Sequence, residues 1–392
     1  MSFVSLIRAV LLTLLLALIP AGAVVAAPET DTPVGGAQLI GTTKIVNLGS
    51  EADPLPKVKA KTWIIANAET GEIYAAKGPH VKRAPASTLK TLTALTLMPQ
   101  LDPTREVRAK KQAVNTYGSK VGLQRGKTYT VEDLYYALLL PSANDAAIAL
   151  AQANGGVQRT VDQMNSIAQS LGALDTVAKN TNGLDSPGQV SSAYDLALIG
   201  RAAMKINDFQ EIVQTRNYEF PYKKKTRPIY NNNRLLTDGY KGALGVKTGF
   251  TTNAGRTFIG AAERKDVTLI VVAMGIKEAS ATAAAKLLDW GFANKDSVTP
   301  IGTLVTPADQ ASATSATVVM ETTDSGTNSA QTEPTQTSTA GPSETSLDPL
   351  AVGWIVLFAA IIAFLLTAIR AAVYRRRTRN RLAGTGRIKL EG

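Results

Sequence analysis

Cysteine is absent from the 392 residues. That removes disulfides, thiolate zinc sites and thiol nucleophiles. Histidine is nearly absent, with His80 the single example. A Ser-His-Asp triad would have to use it, and no G-x-S-x-G elbow supports one. Beside Pro79 it reads as an ordinary surface residue. No H-E-x-x-H occurs, so zinc hydrolysis is excluded too, and neither a metal nor a cofactor is implied.

Long apolar runs are confined to the two ends. Residues 1–27 carry Arg8, an apolar stretch from Ala9 to Ile19 and then small residues. This is the pattern of a secretory signal cleaved near Ala26 or Ala27, with an uncleaved anchor as the alternative. Leu350 to Ile369 is uncharged and long enough to span a bilayer. Arg370, Arg375, Arg376, Arg377, Arg379 and Arg381 follow it. Positive flanks stay cytoplasmic. The expectation is a single-pass protein of the cell membrane, with everything between the two apolar runs outside the cell and the C-terminus inside.

Charge is unevenly spread. The total is +11, with +7 on residues 370–392, −6 on residues 306–348 and +1 from Arg8, which leaves +9 on residues 28–305. A basic domain outside the cell argues against nucleic acid and for an anionic wall polymer. Solubility is an equally good account of the same charge. Residues 306–348 hold eighteen Ser or Thr and no aromatic residue. Such a segment cannot bury enough apolar surface to fold. It reads as a tether, spanning roughly 35–40 Å as a flexible coil. The expected plan is therefore signal 1–27, N-terminal extension 28–55, globular domain 56–305, stalk 306–348, membrane helix 349–370 and basic tail 371–392.

The globular part mixes strands and helices. TWIIA (62–66) and EIYAA (72–76) flank A-E-T-G and read as a hairpin. Two more strands are expected at Thr257–Ala262 and Val267–Met274, around the charged turn 263–266. Helical stretches run over Ser87–Met98, Val131–Leu140, Asn144–Ala151, Thr160–Leu171 and Ser192–Met204. Strands at both ends with helices between imply an α+β domain with one antiparallel sheet.

Three short motifs carry chemistry. In Ser87-Thr88-Leu89-Lys90, residues i and i+3 share a helix face. A first-turn serine sits where backbone N–H groups can hold an oxyanion. Its hydroxyl needs a base, and a lysine serves only if its pKa falls. Alone the motif is weak, because a Ser N-cap beside a solvated lysine is the better account of it. In Pro141-Ser142-Ala143-Asn144-Asp145, Ser142-x-x-Asp145 fits a capping box. Alternatively, Ser142 could relay a proton and Asn144 could hold a carbonyl. Lys247-Thr248-Gly249 lies at the start of an alternating, strand-like run. Gly249 would let a substrate backbone lie against the strand edge. Lys247 and Thr248 would offer a charge and a hydroxyl to a carboxylate. The bland alternative is a strand with a solvated lysine.

All three in this order resemble the signatures of the serine penicillin-recognising enzymes. "PASTLK", "LLLPSANDAA", "NTNGLDSPGQVSSAYDLALIGRAAM", "NNNRLL" and "GVKTGFTTNAGRTFIGAAER" narrow the likeness. They are similar to the D-alanyl-D-alanine carboxypeptidases among the low-molecular-mass penicillin-binding proteins, over roughly Lys61 to Asn294. The resemblance implies an antiparallel sheet packed between helices. It implies a peptidoglycan stem peptide ending in D-Ala-D-Ala as substrate, and β-lactams as inhibitors. Ser87 would be the acylated nucleophile and Lys90 its base, its pKa lowered in part by the helix start. Ser142 would pass a proton to the leaving D-alanine, and Asn144 would bind the peptide carbonyl. Lys247 would supply field and Thr248 would bind the terminal carboxylate. The N–H groups of Ser87 and Phe250 would form the oxyanion hole. Some relatives add a β-rich second domain and an amphipathic C-terminal helix; the stalk and membrane helix replace both here.

Three rivals are weaker. "GLQRGKTYT" has three residues between Gly122 and Gly126 where a phosphate-binding loop needs four. A non-catalytic wall-binding protein would have no reason to keep both Ser87 and Lys90. A class A β-lactamase resemblance would require a glutamate base beyond Ser142-x-Asn144, and residues 146–210 contain none. Asp185, in a turn between Gly183 and Pro187, is the nearest carboxylate in that region's motif.

Overall fold

The computed structural model describes residues 33–305. The expected signal, stalk, membrane helix and tail lie outside the described residues. Among the described residues no helix is long and apolar enough to cross a membrane.

The strands are β1 (Lys44–Leu48), β2 (Thr62–Asn67), β3 (Glu72–Lys77), β4 (Glu106–Arg108), β5 (Thr128–Thr130), β6 (Asn217–Tyr222) and β7 (Lys225–Tyr230). β8 (Ala243–Thr251), β9 (Gly255–Arg264), β10 (Val267–Ile276), β11 (Val298–Thr299) and β12 (Gly302–Thr303) complete them. The helices are α1 (Lys90–Leu97), α2 (Lys111–Val114), α3 (Val131–Leu139), α4 (Asn144–Ala153) and α5 (Val157–Ser170). α6 (Ala193–Ala203), α7 (Asn207–Gln214), α8 (Arg234–Thr237) and α9 (Ser280–Asn294) follow.

The main sheet is ordered β11-β1-β3-β2-β10-β9-β8, with β12 also paired to β3. Its pairings are antiparallel, as the α+β reading expects. Period-two alternation sorts β10. Ile270, Val272 and Met274 enter the larger core with Leu92 of α1, Leu134 of α3 and Ile199 of α6. Leu269, Val271 and Ala273 face the other way, onto Leu287, Leu288 and Trp290 of α9. Both faces are covered, which is why "LIVVAM" is apolar without interruption.

Local chemistry sets the hairpins. The Asn67 carboxamide oxygen accepts from Glu69 N and Thr70 N, at 2.8 and 3.0 Å, and closes the β2–β3 turn as an Asx turn. β9 runs on to Arg264, so the β9–β10 turn is only Lys265-Asp266, with φ of 50° and 60°. Two consecutive left-handed residues match the right-handed twist of the flanking strands.

Three differences from the sequence reading matter. First, Lys44–Leu48 lies within the segment set before the domain, yet β1 pairs with β3 and β11 in the sheet. Second, Ser142 and Asp145 form no capping box: the N-cap of α4 is Ala143, without a side-chain bond. The capping box belongs to Thr130 and Asp133 at the start of α3. Third, His80 is not free on the surface. Its Nδ1 lies 2.8 Å from an Asp175 carboxylate oxygen and its Nε2 lies 3.1 Å from the Val34 carbonyl. Asp195 lies close by and is raised to about 7 by burial. Thr176 donates to its carboxylate at 2.7 Å. His80, Asp175 and Asp195 could together offer ligand atoms to a metal, and these hydrogen bonds engage both ring nitrogens and one oxygen of each carboxylate.

Candidate active site

The chain enters α1 through a 3-10 turn, Ala86–Leu89. Its N-cap is Pro85, with no side-chain cap bond, and α1 begins without one too. Ser87 is therefore not acting as a cap. Ala86, just before it, has φ 50°. A non-glycine residue there is strained, and the surroundings must enforce it. Two hydroxyls do so: Thr88 and Thr257 both donate to the Pro85 carbonyl, at 2.6 and 2.8 Å.

Lys90 is the first residue of α1 and is 0 % exposed. Its Nζ lies 3.0 Å from Ser87 Oγ, 2.7 Å from Asn144 Oδ1 and 2.5 Å from the Asn182 carbonyl. Its pKa is held well below that of an ordinary lysine, first by burial and next by the charge of Lys247. The helix start, which the sequence reading invoked, is not the main cause. A neutral amine has two N–H donors and one lone pair. The two carbonyl-type oxygens can take the donors, and the lone pair is left for the Ser87 hydroxyl. That is the arrangement a general base needs.

Asn144 opens α4 and is pinned on both sides. Its backbone N–H donates to the Ser119 carbonyl at 2.7 Å, and its Nδ2 donates to the Tyr117 carbonyl at 2.7 Å. Ser142, two residues earlier, is 6 % exposed and has φ 64°. Its Oγ has no hydrogen-bond partner among the described residues. A buried hydroxyl without a partner costs about 1–3 kcal/mol. Asp145 instead accepts from the N–H groups of Val121, Gly122 and Leu123 at 2.8–3.0 Å. This explains why the glycine-containing run 122–128 stands beside the site: it is a loop tied down by a carboxylate.

β8 forms the opposite wall and is the sheet's outer strand. Lys247 is 1 % exposed, with its Nζ donating to the Thr248 carbonyl at 2.9 Å. Burial pushes its pKa down to about 7, so it is not the solvated lysine of the bland alternative. Gly249 is glycine for a reason other than the one expected. A Cβ there would come within 2.8 Å of Ser87 N and 2.4 Å of Thr257 Oγ1. The missing side chain lets β8 approach the turn that carries Ser87. Phe250 is 65 % exposed.

Ser87, Ser142, Thr248, Gly249 and Phe250 line one cavity of about 410 Å³. Arg234 and Arg256 line it too and make it cationic. Asn144 lies on a second cavity that also reaches Ser87, while Lys247 stands behind the wall, buried. Sequence reasoning missed Asn182, whose contribution is a backbone carbonyl, and the two arginines. "NTNGLD" was the available signal for the first. Gly183, with φ 81°, lets that segment approach: a Cβ would fall 2.0 Å from the Ala86 carbonyl oxygen.

A family model described as D-alanyl-D-alanine carboxypeptidase matches residues 49–278. The chain is 40% identical over 247 residues to D-alanyl-D-alanine carboxypeptidase DacB2 of Mycobacterium tuberculosis, covering 61% of this chain and 84% of the relative. It is 35% identical to DacC of Escherichia coli, but spans only 64% of that protein's length. Among solved structures, a D-alanyl-D-alanine carboxypeptidase from M. tuberculosis superposes with a TM-score of 0.63 at 38% identity, covering 65% of this chain and all but 1% of that one, 99%. The Streptomyces K15 DD-transpeptidase gives 0.59 at 30% identity, covering 62% of this chain and 100% of its own. With the matched region enclosing every residue of the motifs at 87–90, 142–144 and 247–249, the chain belongs to the D-alanyl-D-alanine carboxypeptidase family of serine peptidases.

Proposed function

We propose that Ser87 is the nucleophile with which this chain removes the terminal D-alanine from peptidoglycan stem peptides. Ser87 Oγ attacks the carbonyl carbon of the penultimate D-alanine while neutral Lys90 takes its proton. The oxyanion is held by the N–H groups of Ser87 and Phe250. Ser142 relays a proton to the departing amine, and D-alanine leaves. Water then attacks the ester, and the shortened peptide is released. Thr248, with Arg234 and Arg256 on the same cavity, receives the terminal carboxylate. Asn144 Nδ2 has a second N–H beyond the one given to Tyr117, and this serves the peptide carbonyl. The charge on Lys247 helps keep Lys90 neutral.

The observation that carries this reading is the environment of Lys90 Nζ, a buried amine with two oxygen acceptors and one hydroxyl in reach. The test is a fluorescent penicillin followed by a D-Ala-D-Ala peptide. Labelling at Ser87 together with D-alanine release is expected. Rapid penicillin hydrolysis without D-alanine release would mark a β-lactamase. No acyl adduct at all would mark a wall-binding protein.

The domain is further proposed to work outside the cell, anchored by the apolar run 349–370 and spaced from the membrane by residues 306–348. Their composition and flanking charges support this. A protease added to intact cells should cut within 306–348 and release an active soluble domain. Release of an inactive product would overturn the placement.

A further inference from the structure

The two cavities that meet at Ser87 differ in charge. The one of about 410 Å³ is lined by two arginines. The other, about 420 Å³, runs along Tyr117, Leu184, Phe250, Thr251 and Thr252, and its one charged lining residue is Asp185. In a domain of such positive net charge, a lone carboxylate beside the nucleophile is conspicuous.

Asp185 is held in place rather than loosely attached. Its Oδ1 accepts from Thr251 Oγ1 at 2.8 Å, which ties it to the last residue of β8. The preceding carbonyl, Leu184 O, accepts from Asn180 Nδ2 and Gln189 Nε2, both at 2.8 Å. Leu184 N donates to Asn182 Oδ1 at 3.0 Å. Among the described residues no cation pairs with Asp185. The carboxylate is therefore fixed, exposed and uncompensated.

The direction of the bound peptide follows from β8. With the terminal carboxylate at Thr248 and the reacting carbonyl at Phe250, a peptide added to this edge runs antiparallel to β8. Its upstream residues pass Thr251 and Thr252. One strand step is about 3.3 Å, so the residue before D-Ala-D-Ala arrives beside Asp185.

This rests on the reading of the reaction proposed above and deepens it. We propose that Asp185 is a specificity residue that pairs with a side-chain ammonium on the residue preceding D-Ala-D-Ala. The preferred substrate then carries a diamino acid with a free amine at that position. The pairing is electrostatic and exposed to water, so its effect is modest and falls with salt.

The test uses the purified full-length protein at low ionic strength. Two peptides are compared: Nα-acetyl-L-Lys-D-Ala-D-Ala with a free ε-amine, and the same peptide acetylated at that amine. D-Alanine release is expected to show kcat/KM about two- to five-fold higher for the free amine. Raised salt should shrink the difference, Asp185→Asn should abolish it, and Asp185→Lys should reverse it. Asn keeps an acceptor for Thr251, so the loop geometry is retained. Equal kcat/KM for the two peptides in the parent protein overturns the assignment, whatever the variants do. So does a preference that survives in Asp185→Asn. Fluorescent penicillin is assayed on the parent in parallel: failure to acylate there overturns the proposed reaction itself, a separate outcome.

Discussion

Gly249 stands so near Ser87 that a Cβ on it would come within 2.8 Å of the Ser87 nitrogen. β8 and the turn that carries Ser87 are therefore in close backbone approach, and neither can shift independently of the other. Gly249→Ala should push β8 away from the turn. A loss of about 1–3 kcal/mol of stability is expected from the overpacking. The acylation rate should fall further, by about a hundred-fold, because small misplacements near the reacting atoms are costly. Thermal melting and the rate of penicillin labelling measure the two separately. A variant that acylates at the parent's rate would show that the close approach is not needed.

Ser87→Ala should abolish covalent labelling without unfolding the protein. Its side chain caps no helix, so little stability depends on it. Lys90→Met, which fills the buried volume without a charge, should depress labelling comparably because the pair acts as a unit. Mass spectrometry locates any remaining adduct. A penicilloyl group on another serine would overturn the assignment of Ser87.

Ser142 offers an exchange of stability for activity. It bears a left-handed backbone and a buried hydroxyl without a partner. Ser142→Gly relieves both, and melting should rise by an amount corresponding to about 1–2 kcal/mol. Release of D-alanine should drop by about a hundred-fold with the loss of proton relay. If melting instead falls, the hydroxyl has a partner that matters to the fold.

Lys247 predicts a pH signature. Its pKa in the fold is about 7, against about 10.4 for an unperturbed lysine. Between those values the unfolded chain holds a proton that the folded chain lacks. Stability therefore rises with pH across that window, and the full penalty of burying the charge is felt below about 7. Lys247→Met should melt higher than the parent at and below neutral pH, with the gap closing toward pH 10. Activity should run differently. Acylation climbs on the acid side as Lys90 loses its proton, and declines above about 7 as Lys247 loses its own. In Lys247→Met the charge that adds to burial in lowering the pKa of Lys90 is gone, so the rising limb moves to higher pH. An unmoved limb would show that Lys247 does not tune Lys90.

Much of the site was legible because its chemistry is local. Ser87 and Lys90 are one helical turn apart, and Ser142 and Asn144 flank one turn. The strands of the two hairpins were placed to within a few residues by alternation and turn residues. What was hidden involves partners distant in sequence or backbone atoms that leave no mark on residue type. Asn182 meets Lys90 through its backbone carbonyl. His80 finds Asp175 95 residues away. Asp145 matched a capping pattern for its own helix but serves residues 121–123 instead, because that loop brings it three N–H groups at once. β1 is half-exposed at its middle and exposed at its ends, so its alternation is too weak to stand out from the segment around it.

The pairing of β1 with β11 joins Asn47 to Thr299 and Leu48 to Val298. These contacts link residues about 250 positions apart, so the sheet has a high contact order, and its closure carries a large loop entropy. Synthesis runs from the N-terminus. Ser87 is made early, yet β8 and β9, which pack on the turn that carries it, arrive only as residues 243–264 emerge. A nascent chain therefore lacks the assembled surroundings of Ser87 until most of the domain is available.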